Sequence, residues 1–403
     1  MELNKGQEQA FAEVREWVAG NEPYYFLSGQ AGTGKTYLAN TIKEWIEENI
    51  GRRVYVTATT NKAAAVLSAS LPDMQEACTI YSLLNLRVQT DFTTGRQFLQ
   101  RNRGGEMPEY ASFILVDEAS MIDPETMEYI NDASEELGLR VLFLGDAYQL
   151  PPVNAGIMPV TSASIRASYL TEIMRANKRE DLEKVYADSR SMVVNDEGIY
   201  LPSSSENVTV FPHEGSKAYL ETLLHHNPHT KILAFTNAAV EGANKIAREL
   251  LNLPGIPQPG DTLVAEDIVI VNANRLAYIG EEIEVAEVED TVCVLDGIEY
   301  PAQYIVSTLH KRFLRMVDSQ ARQQCLKSLA ARKDWRTYYN VKESVADLRF
   351  VHASTVHKSQ GSTYKDVLVM APNIMSCPGI STRRRLLYVA YTRASEHLHV
   401  MVS

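Results

Sequence analysis

Eight consecutive residues, Gly29-Gln30-Ala31-Gly32-Thr33-Gly34-Lys35-Thr36, carry the most specific chemical pattern in the chain. They fit G-x-x-x-x-G-K-[ST], a loop whose glycines let successive backbone N–H groups turn toward one phosphate. The apolar run Tyr24-Tyr25-Phe26-Leu27-Ser28 ahead of it reads as a buried strand, and residues 37–49 read as a helix. The helix N-terminus adds partial positive charge at the same point. Lys35 is expected to reach the β- and γ-phosphates of a nucleotide, and the Thr36 hydroxyl to hold Mg²⁺. A second apolar run, Ser112-Phe113-Ile114-Leu115-Val116, ends in Asp117-Glu118-Ala119-Ser120. Asp117 is expected to hold Mg²⁺, directly or through water, and Glu118 to orient and polarise an attacking water.

These groups need a sheet to carry them. A third strand, Val141-Leu142-Phe143-Leu144-Gly145-Asp146, leads into Ala147-Tyr148-Gln149-Leu150-Pro151-Pro152, where the proline pair forces an extended exit. Gln149 would then stand at the mouth of the sheet and sense a γ-phosphate. Gln7 lies in a first helix capped by Asn4, with Phe11, Val14 and Val18 at helical spacing. Its amide could read adenine; a surface glutamine is the alternative. Arg175 lies on the way out of this first sheet.

The same order of strand, polar turn and helix returns in the second half. Residues 231–235 end in Thr236-Asn237, and a helix runs through Val240, Ile246 and Leu250. The stretch Ala353-Ser354-Thr355-Val356-His357-Lys358-Ser359-Gln360-Gly361 is dense in hydroxyls, with a glycine where backbone must come close to something. Residues 385–394 form a last helix before a closing strand at 397–402, and Arg393 at the helix end is placed for a finger reaching ATP. Thr59-Thr60-Asn61 and Thr79 open helices in the first half. Hydroxyls and free N–H groups there suit phosphodiester contacts, and they also suit plain helix caps.

Two stretches break the pattern. Residues 85–109 read as a projecting β-hairpin turning at Thr93-Thr94-Gly95, with Phe92 and Phe98 as aromatics able to wedge between base pairs. Residues 261–307 read as closely spaced short strands at 268–271, 282–288, 291–295 and 298–306, a small inserted β-barrel. Basic residues around 312–336 suggest either a solvated face or a nucleic-acid-facing one.

Bulk properties narrow the class. The chain has 403 residues, net charge −12, 45% hydrophobic and 22% charged residues. That argues against a basic nucleic-acid-coating protein but leaves room for a narrow strand-tracking channel. No apolar run approaches the roughly 20 residues of a membrane span, and Met1-Glu2-Leu3-Asn4-Lys5 lacks a signal-peptide pattern. A soluble, cytoplasmic protein is expected. Cys78, Cys293, Cys325 and Cys377 are scattered and read as reduced structural thiols, and His225, His226 and His229 as loop histidines.

Taken in order, GQAGTGKT, TTNKAA, DEAS, GDAYQLPPV, AFTN, STVHKSQGST and LLYVAYTRA resemble superfamily 1 helicases of the 1B branch, Dda and RecD-like, from Gln7 to Arg393. The resemblance implies an α/β fold. It has two RecA-like P-loop domains, a β-hairpin pin in the first and a small SH3-like β-barrel inserted in the second. On it, residues 1–84 and 110–175 are domain 1A, 85–109 the pin, 176–260 and 346–403 domain 2A, and 261–345 the inserted domain 2B. It implies an ATP-dependent DNA helicase that moves 5′ to 3′ on single-stranded DNA and unwinds duplex junctions. ATP and Mg²⁺ are then the cofactors, and DNA replication, recombination and repair the setting. A monomer is expected, with replication or recombination proteins as further partners. By the same resemblance Gln7 reads adenine, and Gly29, Gln30, Ala31, Gly32, Thr33, Gly34 and Gly361 line the nucleotide. Lys35, Thr36, Asp117 and Glu118 perform hydrolysis, and Gln149, Arg175 and Arg393 contact the γ-phosphate. Thr59, Thr60, Asn61, Thr79, Thr236, Asn237, Thr355, His357 and Ser359 line the strand, and Phe92 or Phe98 supplies the pin aromatic. Two departures stand out: Tyr81 replaces the usual histidine, and the insert is short. A nucleotide switch without unwinding and a small-molecule phosphotransferase are the competing classes. DNA-stimulated hydrolysis separates the first from a motor, and phosphate transfer to an acceptor other than water marks the second.

Overall fold

Apolar runs that end in glycine or a polar residue become parallel strands buried on both faces, as parallel sheets require. A computed structural model describes residues 3–30, 32–70, 76–102, 104–152, 155–162, 164–172, 179–295 and 297–403. The chain divides into two units: Met1–Gln89, Phe98–Tyr200 and Arg384–Thr392 form unit 1, and Thr90–Gln97, Leu201–Arg383 and Arg393–Ser403 form unit 2.

Unit 1 is built on strands β1 (Tyr24–Gly29), β2 (Val54–Ala58), β3 (Cys78–Thr79), β6 (Phe113–Asp117), β7 (Arg140–Gly145) and β8 (Arg166–Leu170). They pair all-parallel in the order β3-β2-β6-β7-β1-β8. The paired strands β4 (Leu86–Asp91) and β5 (Arg96–Arg101) make the hairpin, whose turn segment Thr90–Gln97 falls in unit 2. Helices α1 (Lys5–Ala19), α2 (Lys35–Ile50), α3 (Asn61–Ser70), α4 (Ile80–Leu83), α5 (Pro124–Leu137) and α6 (Glu180–Val194) complete it. Alternation along each strand feeds two cores. Tyr25 and Leu27 join Trp17, Leu38, Ile42 and Leu144 on one face. Phe26 joins Val116, Phe143, Ile130 and Ile114 on the other. Each such fully buried large side chain contributes on the order of 1.5–3 kcal/mol.

In unit 2, β9 (Val208–Pro212), β10 (Lys231–Ala234), β18 (Ala353–Thr355), β19 (Tyr364–Met370) and β20 (Ala394–Val402) form a parallel sheet ordered β18-β10-β19-β20-β9. An antiparallel sheet ordered β16-β15-β14-β11-β17 interrupts it in sequence, made of β11 (Thr262–Ala265), β14 (Glu282–Leu295), β15 (Ile298–Ser307), β16 (Arg312–Met316) and β17 (Leu348–Phe350). A small hairpin pairs β12 (Val269–Val271) with β13 (Asn274–Ala277). The helices are α7 (Ser216–His226), α8 (Asn237–Leu250), α9 (Ser319–Ala331), α10 (Trp335–Ser344), α11 (Ala371–Met375) and α12 (Ile380–Tyr391), the last ending in unit 1.

Two local expectations need correction. The separate strands expected at 282–288 and 291–295 are one strand, β14, with a register shift between Val285 and Glu287. Glu289 and Asp290 lack the glycine or proline chemistry that would turn the chain, so the ladder with β15 runs on. His225 and His226 are not in a loop: they close the last turn of α7. Among the described residues no helix is long and apolar enough to cross a membrane.

The parallel sheet of unit 2 contains an acid-sensitive histidine. His399 on β20 is 7% exposed, with Nδ1 2.8 Å from the Tyr219 hydroxyl. Burial pushes its pKa down to about 4. An unfolded histidine titrates near 6.5, so as pH falls below that the unfolded chain takes up a proton that the fold refuses. The stability lost between about pH 6.5 and pH 4 is on the order of 3 kcal/mol. Thermal unfolding followed over that window should show this loss, and His399→Gln should flatten the acid limb. An unchanged limb in the variant would assign it to other groups.

Candidate nucleotide site and strand-facing turns

Because the strands of unit 1 are parallel, their carboxyl ends share one edge, where open α/β sheets bind ligands. Register fixes the neighbours: Ser28 pairs with Gly145, Gly29 with Leu170, and Ala58 with both Asp117 and Thr79. The phosphate loop leaves β1 at that edge. Gly32 (φ 86°) and Gly34 (φ 75°) adopt left-handed conformations that side chains resist. A Cβ on Gly29 would come within 2.6 Å of Thr33 Oγ1. Lys35 Nζ donates to the carbonyls of Gly29 (2.5 Å) and Gln30 (3.1 Å), and Thr36 follows it in the first turn of α2. Ala31 and Arg175 lie outside the described residues.

Gln7 is 2% exposed and bonded into this loop. Its Nε2 donates to Thr33 O (3.2 Å), while its Oε1 accepts from Asn4 N (3.1 Å) in a capping box. That accounts for one N–H and one lone pair of an amide that carries two of each. Gln7 thus braces the loop from α1, a role sequence reasoning did not assign.

Asp117 closes β6, and its Oδ1 accepts from Glu118 N (2.8 Å). Burial pushes the Asp117 carboxyl above its usual range, and the nearby Lys35 ammonium opposes the rise. A hydroxyl at Thr36 and a carboxylate at Asp117 are hard oxygen donors. They fit Mg²⁺, which takes one or two carboxylates and completes its shell with phosphate oxygens and water. Among the described residues no cluster of three or more His, Cys, Asp or Glu could form an all-protein metal cage. Glu118 sits at φ 52°, ψ 37°, rare for a non-glycine residue and common at functional sites. The Thr59 hydroxyl, 7% exposed, donates to the Glu118 carbonyl (3.2 Å). Thr59 therefore holds the Glu118 backbone in this left-handed turn.

The turn after β7 is fastened on two sides. Asp146 Oδ1 accepts from Tyr148 N (3.0 Å), and Ala147 N donates to Ser28 Oγ (3.2 Å) on β1. From α12, the Tyr388 hydroxyl donates to Asp146 Oδ2 (2.5 Å), and Arg385 Nη1 donates to the carbonyls of Ala147 (3.0 Å) and Gln149 (2.6 Å). Gln149 itself is 5% exposed. Asp146, Arg385 and Tyr388 were not singled out from sequence; their partners lie more than 230 residues away.

Most of the polar turns expected to face a strand are helix starts. Thr60 Oγ1 accepts from Ala63 N, Thr79 Oγ1 from Ser82 N and Thr236 Oγ1 from Ala239 N, at 3.1, 3.1 and 3.2 Å. Asn61 is exposed at the start of α3. In unit 2, Asn373 Oδ1 accepts from the amides of Phe235 and Thr236, and Asn237 Oδ1 accepts from Arg349. Thr355 Oγ1 accepts from Lys358 N (3.3 Å), and the Phe235 and His357 rings lie 6.2 Å apart. Burial holds the His357 pKa below its ordinary value. Ser359 is fully buried and donates to Val356 O, so it shapes this turn from inside. Gly361 has φ 72°, which explains glycine there. Arg393 is 3% exposed in unit 2, with Nη1 donating to Ser362 O (2.9 Å). Tyr81 takes a hydrogen bond from Thr126 Oγ1 (3.5 Å).

The hairpin turns through Asp91, whose carboxylate accepts from Thr93 N and Thr94 Oγ1. Phe92 is 48% and Phe98 36% exposed. Within unit 2 the Phe92 ring meets Tyr339 edge-on at 6.4 Å, with the Arg336 guanidinium 5.8 Å away. Tyr339 Oη donates to Gly95 O (2.8 Å), and a Cβ on Gly95 would strike Trp335. Sequence reasoning found the aromatics but not that one of them has a ring partner.

A lysine-bearing glycine loop between a buried strand and a helix, with an acid closing a nearby strand, makes unit 1 a phosphate-loop nucleotide-binding protein. Likeness to known proteins narrows the class. Residues 2–196 match the family model described as AAA domain, and residues 350–401 the UvrD-like helicase C-terminal domain. The ATP-dependent DNA helicase dda of Enterobacteria phage T4 is 22% identical, over 97% of this chain and 97% of its own. The ATP-dependent RecD2 DNA helicase of Deinococcus radiodurans is 31% identical over 42% of this chain, which is 22% of its own length. A Pif1 helicase structure, solved to explain unwinding at forked double-stranded DNA, has the same fold. Its TM-score is 0.55 at 18% identity, over 99% of this chain and 92% of that one. The chain is thus similar to ATP-dependent DNA helicases of the Dda and RecD2 kind and shares its fold with the Pif1 structure.

Proposed function

We propose that this chain is an ATP-dependent DNA helicase that moves 5′ to 3′ along single-stranded DNA and unwinds duplex junctions. Hydrolysis is assigned to a cleft between two RecA-like domains, with 85–109 as the pin and 261–345 as an inserted SH3-like domain. The observation that carries the reading is the carboxyl edge of the first sheet, where Lys35, Asp117, Glu118 and Gln149 follow strand ends in family order. Lys35 exchanges its carbonyl partners for β- and γ-phosphate oxygens, so the loop is held ready and the ammonium stays inside it. Glu118 orients water and takes its proton. Thr36 and Asp117 would hold Mg²⁺, which supplies charge neutralisation at the phosphates when bound. Arg393, together with Arg175, is the γ-phosphate contact; for Arg393 this means giving up Ser362 O. The strand runs over the turns at Thr59–Asn61, Thr79, Thr236–Asn237 and Thr355–Ser359. A monomer suffices for this activity.

The test has two parts: ATP hydrolysis with and without single-stranded DNA, and unwinding of duplexes that carry only a 5′ or only a 3′ tail. Hydrolysis indifferent to DNA would remove the motor, and unwinding from a 3′ tail alone would reverse the direction. The wedge is tested separately. Phe92→Ala or Phe98→Ala should lower unwinding several-fold more than strand-stimulated hydrolysis, since a wedge meets duplex and not the nucleotide. If both rates fell together for each variant, neither aromatic would be the wedge.

A further inference from the structure

We infer that Tyr388 and Arg385 are positioning residues that set Gln149 for nucleotide hydrolysis; this rests on the reading above. The two lie three apart on α12, hence on one helix face. Both reach one short turn. Tyr388 is fully buried, and its hydroxyl lies 2.5 Å from Asp146 Oδ2, the short distance of a hydrogen bond to a carboxylate. Asp146 is 1% exposed, and its other oxygen is taken by Tyr148 N. The Arg385 guanidinium brackets the turn through the carbonyls of Ala147 and Gln149. Gln149 N donates to Asp146 O (3.2 Å), so both peptide groups of Gln149 are fixed, and with them the Cα–Cβ bond from which its side chain starts.

The arrangement explains why such polar groups are buried here. Burial pulls the Arg385 pKa down while the Asp146 charge resists the fall. A half-buried cation and a buried acid hold backbone that is also anchored by Ser28 on β1 and by the Arg190 guanidinium 4.9 Å from the Tyr148 ring. Arg393 follows Tyr388 by five residues along the same chain segment. A change at Gln149 and a change in the segment leading to Arg393 are therefore tied through one hydroxyl and one guanidinium.

The experiment is steady-state ATP hydrolysis by the full chain for wild type, Tyr388→Phe, Gln149→Ala and the double variant, with Tm measured for each. Tyr388→Phe removes only the hydroxyl. Its kcat should fall about tenfold with KM for ATP within about twofold, since positioning acts on the transition state and not on binding. In the Gln149→Ala background the same change should cost nothing more, because the effect runs through Gln149. Arg385→Lys, which keeps the charge but cannot bracket two carbonyls in the same way, should reproduce the kcat loss. Wild-type kcat in Tyr388→Phe, losses that multiply in the double variant, or a KM change in place of a kcat change would each overturn the inference. The comparison is read on basal hydrolysis as well as with DNA. A chain that hydrolyses ATP but ignores DNA would end the helicase reading while still deciding this one.

Discussion

Lys35→Ala should lower kcat for ATP hydrolysis by on the order of 10²–10³-fold, the effect of losing one donor aimed at developing charge in a preorganised site. Single-stranded DNA binding should stay within about threefold, because it is spread over many backbone contacts. The geometry makes the effect specific. Lys35 Nζ already lies inside the loop on Gly29 and Gln30 carbonyls, so no rearrangement of α2 is needed to present it. The substitution also removes the ammonium that opposes the raised Asp117 pKa. That carboxyl should then hold its proton to higher pH, and turnover lost to the missing lysine should fall further at mildly acid pH. The check is a pair of measurements, hydrolysis against pH and fluorescence anisotropy with a labelled single strand. Normal hydrolysis by the variant would strip Lys35 of its role; lost DNA binding would mean the loop also shapes the strand site.

Glu118→Gln should remove between about 10² and 10⁴ in hydrolysis, the usual contribution of a general base, and leave nucleotide binding intact. The amide keeps the size of the carboxylate but cannot take the proton of water. Position matters as much as charge. Glu118 is held in a left-handed backbone conformation, its carbonyl fixed by the Thr59 hydroxyl and its amide by Asp117. Glutamine tolerates that conformation no worse than glutamate, so the variant tests chemistry and not folding. Nucleotide binding and a single-turnover hydrolysis time course decide it. A single-turnover rate within about tenfold of wild type would move the base elsewhere. Thr59→Val is the companion: by freeing the Glu118 carbonyl it should slow hydrolysis measured without DNA, where any strand contact of Thr59 plays no part.

Several helix caps read as nucleic-acid contacts illustrate where pattern reading stops. Thr60, Thr79 and Thr236 satisfy helix N–H groups in this structure. A threonine at a helix start is written the same way whether it caps, touches phosphate, or does both. Ser359 is harder still, since only burial shows that its hydroxyl turns inward.

By itself the sequence determined the phosphate loop, the acid closing β6 and the alternation that buries each parallel strand. These are properties of neighbouring residues: Gly32 and Gly34 must be glycine because their own φ values are positive, and Phe26 and Leu27 take opposite faces because strand geometry alternates. What only the tertiary structure decided is partnership. A tyrosine hydroxyl announces that it needs an acceptor when buried, but nothing near Tyr388 names Asp146, 242 residues earlier. Strand order decides that pairing, as it decides that Thr59 meets the Glu118 carbonyl and that β1 lies between β7 and β8. Strand order follows from how whole layers pack, which no local period records.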